Sequence, residues 1–382
     1  MKRIISLVLC VFLLLGCCAV FGGCSSDSMI DVNALLGTYT KDLAGTTLNV
    51  YNWGEYISDG EDGALNIVKE FENLTGIDVS YTTYDSNESM YSIMRSGSVS
   101  YDIIIPSDYM IARMKTEGLL KKIDVSKLKN YNLIDDRYKG MYYDENDEYS
   151  VPYNVGLVGI IYNQTMVEEA PDSWSCMFDE RYKGQLLTFN NPRDAFMISQ
   201  MYQGISLNTT DLKEWDKSAE LLMKQKDLLK MYVMDKVFDM METGEAAIAP
   251  YYAGDFVTML ESNSDLRFAY PKEGTNIFVD AVCIPECAEN VEAAMMFIDF
   301  LLEPQIAMAN ADYISYASPN TAVSKNEEYL STLTVELDDG TEFDYSRIIY
   351  PEEKDMPYCE YYYDMDETTR AYYESLWNKI VS

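Results

Sequence analysis

A chain of 382 residues with 48% hydrophobic residues is long enough for about two packed domains. Its 63 acidic residues against 29 basic ones leave a net charge of −34, which argues against nucleic acid as a partner, because phosphate binding needs clustered Lys and Arg. Histidine is absent, and with it go the usual general base of Ser-His enzymes and the commonest zinc ligand. A field of this sign draws in cations, although high net charge also serves solubility alone.

At the N-terminus, Lys2 and Arg3 precede an apolar run from Ile4 to Phe21, followed by Gly22-Gly23-Cys24-Ser25-Ser26-Asp27. Charge, apolar stretch and small residues in that order predict an export signal over residues 1–23. A cysteine directly after the small residues resembles a bacterial lipoprotein signal, with Cys24 as the lipidated residue. Cys17, after Leu14-Leu15-Gly16, is the rival; the polar tether expected over 24–45 favours Cys24. The alternative is a retained membrane helix, since the apolar run approaches spanning length. Four cysteines then remain: Cys176, Cys283, Cys287 and Cys359. They read as buried thiols or one disulfide, because Cys283-x-x-x-Cys287 has no second pair of metal-ligand spacing. No metal or cofactor is expected.

From Thr46 onward strand and helix signals alternate. Leu48, Val50 and Tyr51 predict a strand that polar Asn52 breaks. A helix is expected over 63–74, with Gly76 just past its end, and a strand over 77–83. Asp85 with Glu88 three residues later predicts a capping box for a helix through Met90 and Ile93. Tyr101–Pro106 reads as a buried strand, followed by a helix to about Glu117. Three such units in sequence predict a mostly parallel sheet with helices on both faces. A second block opens near Val155, with strands at 156–162 and 185–189, a short helix at 174–178 and a long one at 211–229. Further strands are expected at 246–249 and 278–282. A helix over 291–302 is terminated by Pro304, and the Tyr-rich acidic tail closes in a helix through Tyr372, Leu376 and Ile380.

One pattern recurs at strand exits, where aromatics and acids cluster: Trp53/Glu55/Tyr56, Ser107/Asp108/Tyr109, Asn191/Asp194, Tyr252/Asp255 and Phe278/Asp280. Open α/β sheets bind ligands beyond the carboxyl ends of their strands. Each exit alone has a plainer reading: Trp53 and Tyr56 packing under a loop, Asp194 and Asp255 as first-turn acids favoured by a helix dipole, Phe278 as core. Five converging across two lobes would line a cleft with π faces and separated carboxylates. Such a cleft suits a long, flexible cation with apolar segments between its charges.

At these residues the chain resembles the bacterial spermidine/putrescine-binding proteins, the extracytoplasmic components of polyamine ABC importers. The resemblance runs from about Leu48 to Thr321. Its strongest segments are Tyr51-Asn52-Trp53-Gly54-Glu55-Tyr56, Thr83 through Tyr91, Tyr101 through Tyr109, Tyr182-Lys183-Gly184, Pro271-Lys272-Glu273-Gly274 and Ser318-Pro319-Asn320. It implies an α/β, two-lobed type II periplasmic-binding-protein fold, with mostly parallel sheets flanked by helices and a hinge between lobes. One lobe would hold residues 46–152 and 281–317, the other 153–280 and 318–382. By position, Trp53 and Tyr56 would flank the polyamine, with Glu55 in the same loop, and Ser107 and Tyr109 would lie near an amine. Asp194 would bind one ammonium and Asp280 another, as the principal charge anchor. Tyr252 and Phe278 stand where the spermidine-binding pattern has tryptophans, and Asn191 where it has an aspartate. The C-terminal contact would fall near Tyr363. The implied partners are a polyamine, an ABC permease with its ATPase, and the membrane through the lipid anchor. The protein would act as a monomer and not as an enzyme. The rivals are a ferric-ion binder on the same fold and an exported acidic hydrolase using Glu55 and Asp280.

Overall fold

The computed structural model of the chain describes residues 30–382, so the signal and the lipidation site at Cys24 lie outside the described residues. Its backbone is a twisted sheet of strands β1 (Thr47–Trp53), β2 (Asp78–Tyr84), β3 (Ile103–Ile104), β4 (Ser150–Asn163), β5 (Leu186–Phe189), β6 (Leu229–Val233), β7 (Ile248–Tyr252), β8 (Leu266–Ala269) and β9 (Thr275–Cys283). Their order is β2-β1-β3-β9-β4-β7-β5-β6, with β8 added on β4. On one side β1 runs parallel to β2 and β3; on the other β5 runs parallel to β6 and β7. Between them β4 and β9 pair antiparallel from Ser150↔Cys283 to Leu157↔Ile277. All fourteen residues of β4 are buried, as a strand covered on both faces requires. The register slips between Pro152 and Asn154, where proline has no N–H for the ladder.

The side-chain alternation of the first half is that of a sheet with two covered faces. Val50 and Ile103 point into a core with Phe71, Phe297 and Phe300, whereas their neighbours Tyr51 and Ile104 point into a second core with Met90, Ile111 and Val279. A third and larger core, built on Trp174, Phe189, Phe196, Trp215 and Phe256, fills the other half. Helices α1 (Ile67–Thr75), α2 (Asn87–Ser96) and α3 (Asp108–Thr116) flank the first half. Helices α4 (Pro192–Tyr202), α5 (Leu212–Lys226), α6 (Val237–Glu242) and α7 (Ala253–Ser262) flank the second. The tail helix Glu367–Val381 packs on α5, with the rings of Tyr373 and Trp215 stacked 4.9 Å apart.

Several local expectations are corrected. Asn52 does not break β1, because its Nδ2 donates to Tyr81 Oη at 2.8 Å and its Oδ1 accepts the Trp53 N–H. The first helix starts at Ile67, capped by Asn66, after a separate turn at Glu61–Gly63. The capping box of α2 is Ser86 with Ser89, one residue later than expected. Strand β3 shrinks to two residues, since Asp102 accepts the backbone N–H groups of Asn49, Glu289 and Asn290. Pro304 ends one helix and also opens the next, Pro304–Ile314, at its first position. Within the expected tether, Leu35 and Tyr39 are buried in the first core, and Tyr39 Oη donates to Glu303. Strands β6 and β8, a hairpin of β10 (Thr334–Glu336) with β11 (Glu342–Asp344), and β12 (Cys359–Glu360) were unforeseen. The four cysteines are free thiols: Cys176 and Cys283 are buried, Cys287 exposed and Cys359 half-buried.

Candidate ligand-binding cleft

All ten side chains singled out from the sequence line one cavity of about 90 Å³ between the two halves of the sheet. Its deepest acid is Asp280, in the middle of β9 and 3% exposed. Tyr56 Oη donates to Asp280 Oδ2 at 2.6 Å, and Ser107 lies beside the same residue across a backbone bridge. Oδ1 is buried with no partner, which leaves half of a carboxylate desolvated and unpaid-for by hydrogen bonds. Burial pushes the carboxyl up to about 6; the Ser107 and Tyr56 hydroxyls offset part of this and the nearby Asp194 charge adds to it. Ser107 is placed by its backbone bridge to Asp280 and by Asn87, whose Nδ2 donates to Ser107 Oγ at 3.0 Å.

Asp194 sits in the first turn of α4, where the helix dipole favours a negative charge. It is surrounded by donors. Tyr252 Oη donates to Oδ2 at 2.7 Å, Asn191 Nδ2 to Oδ2 at 2.8 Å and Tyr362 Oη to Oδ1 at 2.9 Å. Asn191 is the N-cap of α4 and accepts the Asp194 N–H at 2.9 Å. Its amide, expected to face the ligand, is therefore committed to Asp194. Tyr109, in the first turn of α3, donates from Oη to Glu88 at 2.9 Å, and its ring meets Tyr362 edge-on at 5.9 Å.

The aromatic walls are fixed by polar ends and close packing. Trp53 Nε1 donates to the Ile105 carbonyl at 2.9 Å, and its indole lies 4.7 Å from the Tyr84 ring. Phe278 meets Tyr252 edge-on at 5.5 Å and lies directly over Gly156, where an added Cβ would be 2.1 Å from Phe278 Cζ. Glu55, with a left-handed φ of +47°, stands exposed at the rim. Partial burial and the charges of Asp59, Asp235 and Glu61 raise its carboxyl above the ordinary range.

Three residues beyond the ten complete the cavity. Asp255, in the first turn of α7, was named at a strand exit with a helix-dipole role as the plainer alternative; it faces the cavity and accepts from Tyr316 Oη at 3.0 Å. Burial pushes its carboxyl up to about 7, with Asp235 and Glu55 adding repulsion. Tyr316 follows the left-handed Ser315 that ends the Pro304–Ile314 helix, and its ring meets Tyr56 edge-on at 5.0 Å. Tyr362, next to the expected Tyr363, lines the cavity; Tyr363 itself is 49% exposed and packs on Tyr142 at 4.3 Å. No motif marked Tyr316 or Tyr362. Asp255 carried the same exit signature as its neighbours.

The cavity thus offers separated carboxylates, two of them desolvated, between aromatic faces. That arrangement holds cations with apolar spacers. The profile of the bacterial extracellular solute-binding proteins matches residues 66–334. The chain belongs to that family. This solute-binding protein is 34% identical over 281 residues to the spermidine/putrescine-binding periplasmic protein of Salmonella typhimurium, covering 73% of this chain and 79% of the relative. Its fold matches the spermidine/putrescine ABC transporter substrate-binding protein PotD of Streptococcus pneumoniae with a TM-score of 0.71 and 32% identity, over 88% of this chain and 99% of that one. It matches the TpPotD lipoprotein of Treponema pallidum with a TM-score of 0.73 and 25% identity, over 87% and 99%. The two-lobed α/β fold expected from the sequence is the fold of these neighbours.

Proposed function

We infer that the protein captures a polyamine outside the cytoplasmic membrane and, by closing its lobes on it, delivers it to the permease and ATPase of an ABC importer. One observation carries the reading: Asp280 lies desolvated in the cavity wall with one oxygen unpartnered, between aromatic faces, with Asp255 and Asp194 lining the same cavity. An ammonium supplies the missing partner, and charge-assisted hydrogen bonds fix it. The apolar spacer lies against Trp53, Tyr252 and Phe278, each cation–π contact adding on the order of 0.5–2 kcal/mol. The names of the relatives point to the same ligand class and do not favour ferric ion or glycoside hydrolysis.

In this reading the lobes are residues 46–152 with 281–317 and residues 153–280 with 318–382. The β4–β9 pair is the hinge, and the protein works as a monomer that binds rather than transforms its ligand. Lipid anchoring at Cys24 draws support from the N-terminal signal and from the lipoprotein of Treponema pallidum. A thermal-shift titration of residues 25–382 with putrescine, spermidine, spermine and an amino-acid panel tests the ligand class. A ligand at a hundred times its Kd stabilises the fold by about 2.7 kcal/mol. A rise in melting temperature with amino acids and none with polyamines would sink the reading.

A further inference from the structure

Charge is distributed unevenly along the cavity. Seven carboxylic acids and one guanidinium line it, and that guanidinium, Arg193, is the only Lys or Arg in the lining among the described residues. Arg193 is 4% exposed. Its Cζ lies 4.3 Å from the Tyr362 ring centroid, 5.6 Å from that of Tyr109 and 5.9 Å from that of Tyr373. Three aromatic faces around one cation are the means by which proteins hold an ammonium ligand; here the position is taken by the protein's own side chain. Its polar contacts are long, to the Leu207 carbonyl and Asn208 Oδ1 at 3.5 Å each, so the rings and nearby acids are its main partners.

The two acids at this end are satisfied from within. Asp194 accepts from Asn191, Tyr252 and Tyr362, and Glu88 accepts from Tyr109, with the Arg193 charge acting favourably on Glu88. At the other end Asp255 has a single hydroxyl donor, Tyr316, and its charged neighbours Asp235 and Glu55 are both acids. Between them Asp280 keeps an oxygen with no partner. The positive charge the cavity still lacks lies at Asp280 and Asp255, bridged by the edge-on pair Tyr56 and Tyr316. A further ammonium reaching towards Asp194 would meet a resident cation and a carboxylate whose lone pairs are already engaged.

We propose that Arg193, caged by Tyr362, Tyr109 and Tyr373, acts as a built-in third cation, so that the site takes a ligand with two ammonium groups, anchored at Asp280 and Asp255, and discriminates against a third. The proposal rests on the polyamine reading above and narrows it to diamines.

Isothermal titration of the full chain with putrescine, spermidine and N-propylputrescine separates charge from length, because the last has nearly the length of spermidine but two charges. Putrescine binds at least tenfold tighter than spermidine, and N-propylputrescine binds tighter than spermidine. In Arg193→Met the putrescine-to-spermidine preference falls at least tenfold. Should that variant fail to fold, Tyr362→Phe, which keeps the ring and frees one Asp194 oxygen, lowers the preference at least threefold. Spermidine binding as tightly as putrescine overturns the proposal, as does N-propylputrescine as weak as spermidine, or a preference unchanged in every folded variant. Binding of no polyamine at all is a different result and overturns the functional reading itself.

Discussion

Replacing Asp280 by asparagine keeps the shape of the side chain and removes its charge, and its two effects have opposite signs. In the complex, the ammonium opposite Asp280 loses its charged partner inside a closed cavity. Breaking a buried ion pair on one side costs about 3–5 kcal/mol, and at about 1.4 kcal/mol per tenfold the Kd rises roughly 150- to 4000-fold. In the free protein the same change relieves strain. Burial carries the Asp280 carboxyl from 3.8 up to about 6, a difference worth roughly 3 kcal/mol at about 1.4 kcal/mol per tenfold change. Because the folded value lies above the unfolded one, the folded state binds the extra proton, and stability falls as pH rises from about 4 to about 6. Asp280→Asn is therefore more stable than the wild type without ligand at pH 7.5, and this advantage disappears below pH 4. Denaturant unfolding at the two pH values measures the stability, and calorimetry measures the affinity. A variant that binds within tenfold of the wild type, or that unfolds more easily at pH 7.5, refutes the reasoning.

Other perturbations follow from the same contacts. Tyr56→Phe removes the hydroxyl that donates to Asp280 at 2.6 Å; a hydrogen bond to a charged group contributes about 1.5–3 kcal/mol, so titration should show affinity roughly 10- to 150-fold weaker, and unchanged affinity would contradict the assignment. Asp280 and Asp255, pushed up to about 6 and about 7, hold protons that an ammonium displaces. Binding therefore weakens from pH 8 to pH 5.5 and releases protons near pH 7, measurable by calorimetry in buffers of different ionisation heat; Asp255→Asn abolishes most of the release. Gly156→Ala places a Cβ 2.1 Å from Phe278 Cζ. Overpacking of this kind costs about 1–3 kcal/mol, so denaturant unfolding should show that loss together with weaker binding, and neither change would mean that the ring is not fixed there.

The cleft was legible where it is built from local strand exits. Trp53 and Ser107 sit at or near the ends of buried runs, and alternation plus turn chemistry places such residues without knowledge of the fold; Phe278 and Asp280, expected at a strand exit, lie inside the fully buried β9. Tyr362 is different. It reaches the cavity because β12 pairs with β9, Cys359 against Thr275, and a two-residue pairing between distant segments leaves no periodicity in either. Asn191 shows a second limit. Residue type alone allows an amide to face a ligand or to cap a helix, and Asn191 caps α4 while also lining the cavity. The capping box of α2 slipped by one residue for a related reason: Glu88 turns towards Tyr109 instead of back to the helix start, leaving Ser86 and Ser89 to close the end. Asp102 is a third case. A single carboxylate that gathers three backbone N–H groups can displace a sheet ladder, and nothing in an apolar run announces it.

The strand that carries Asp280 also joins the halves of the molecule, with Asp280 facing Asn154 beside the slipped register. A mooring set on the axle moves through the smallest arc when the doors swing. In the proposed closure Asp255 rides on one door, so on opening it parts from a bound diamine first, while the grip at the axle loosens last. On that proposal, release of a diamine would run from Asp255 towards Asp280, and the hold would weaken by stages.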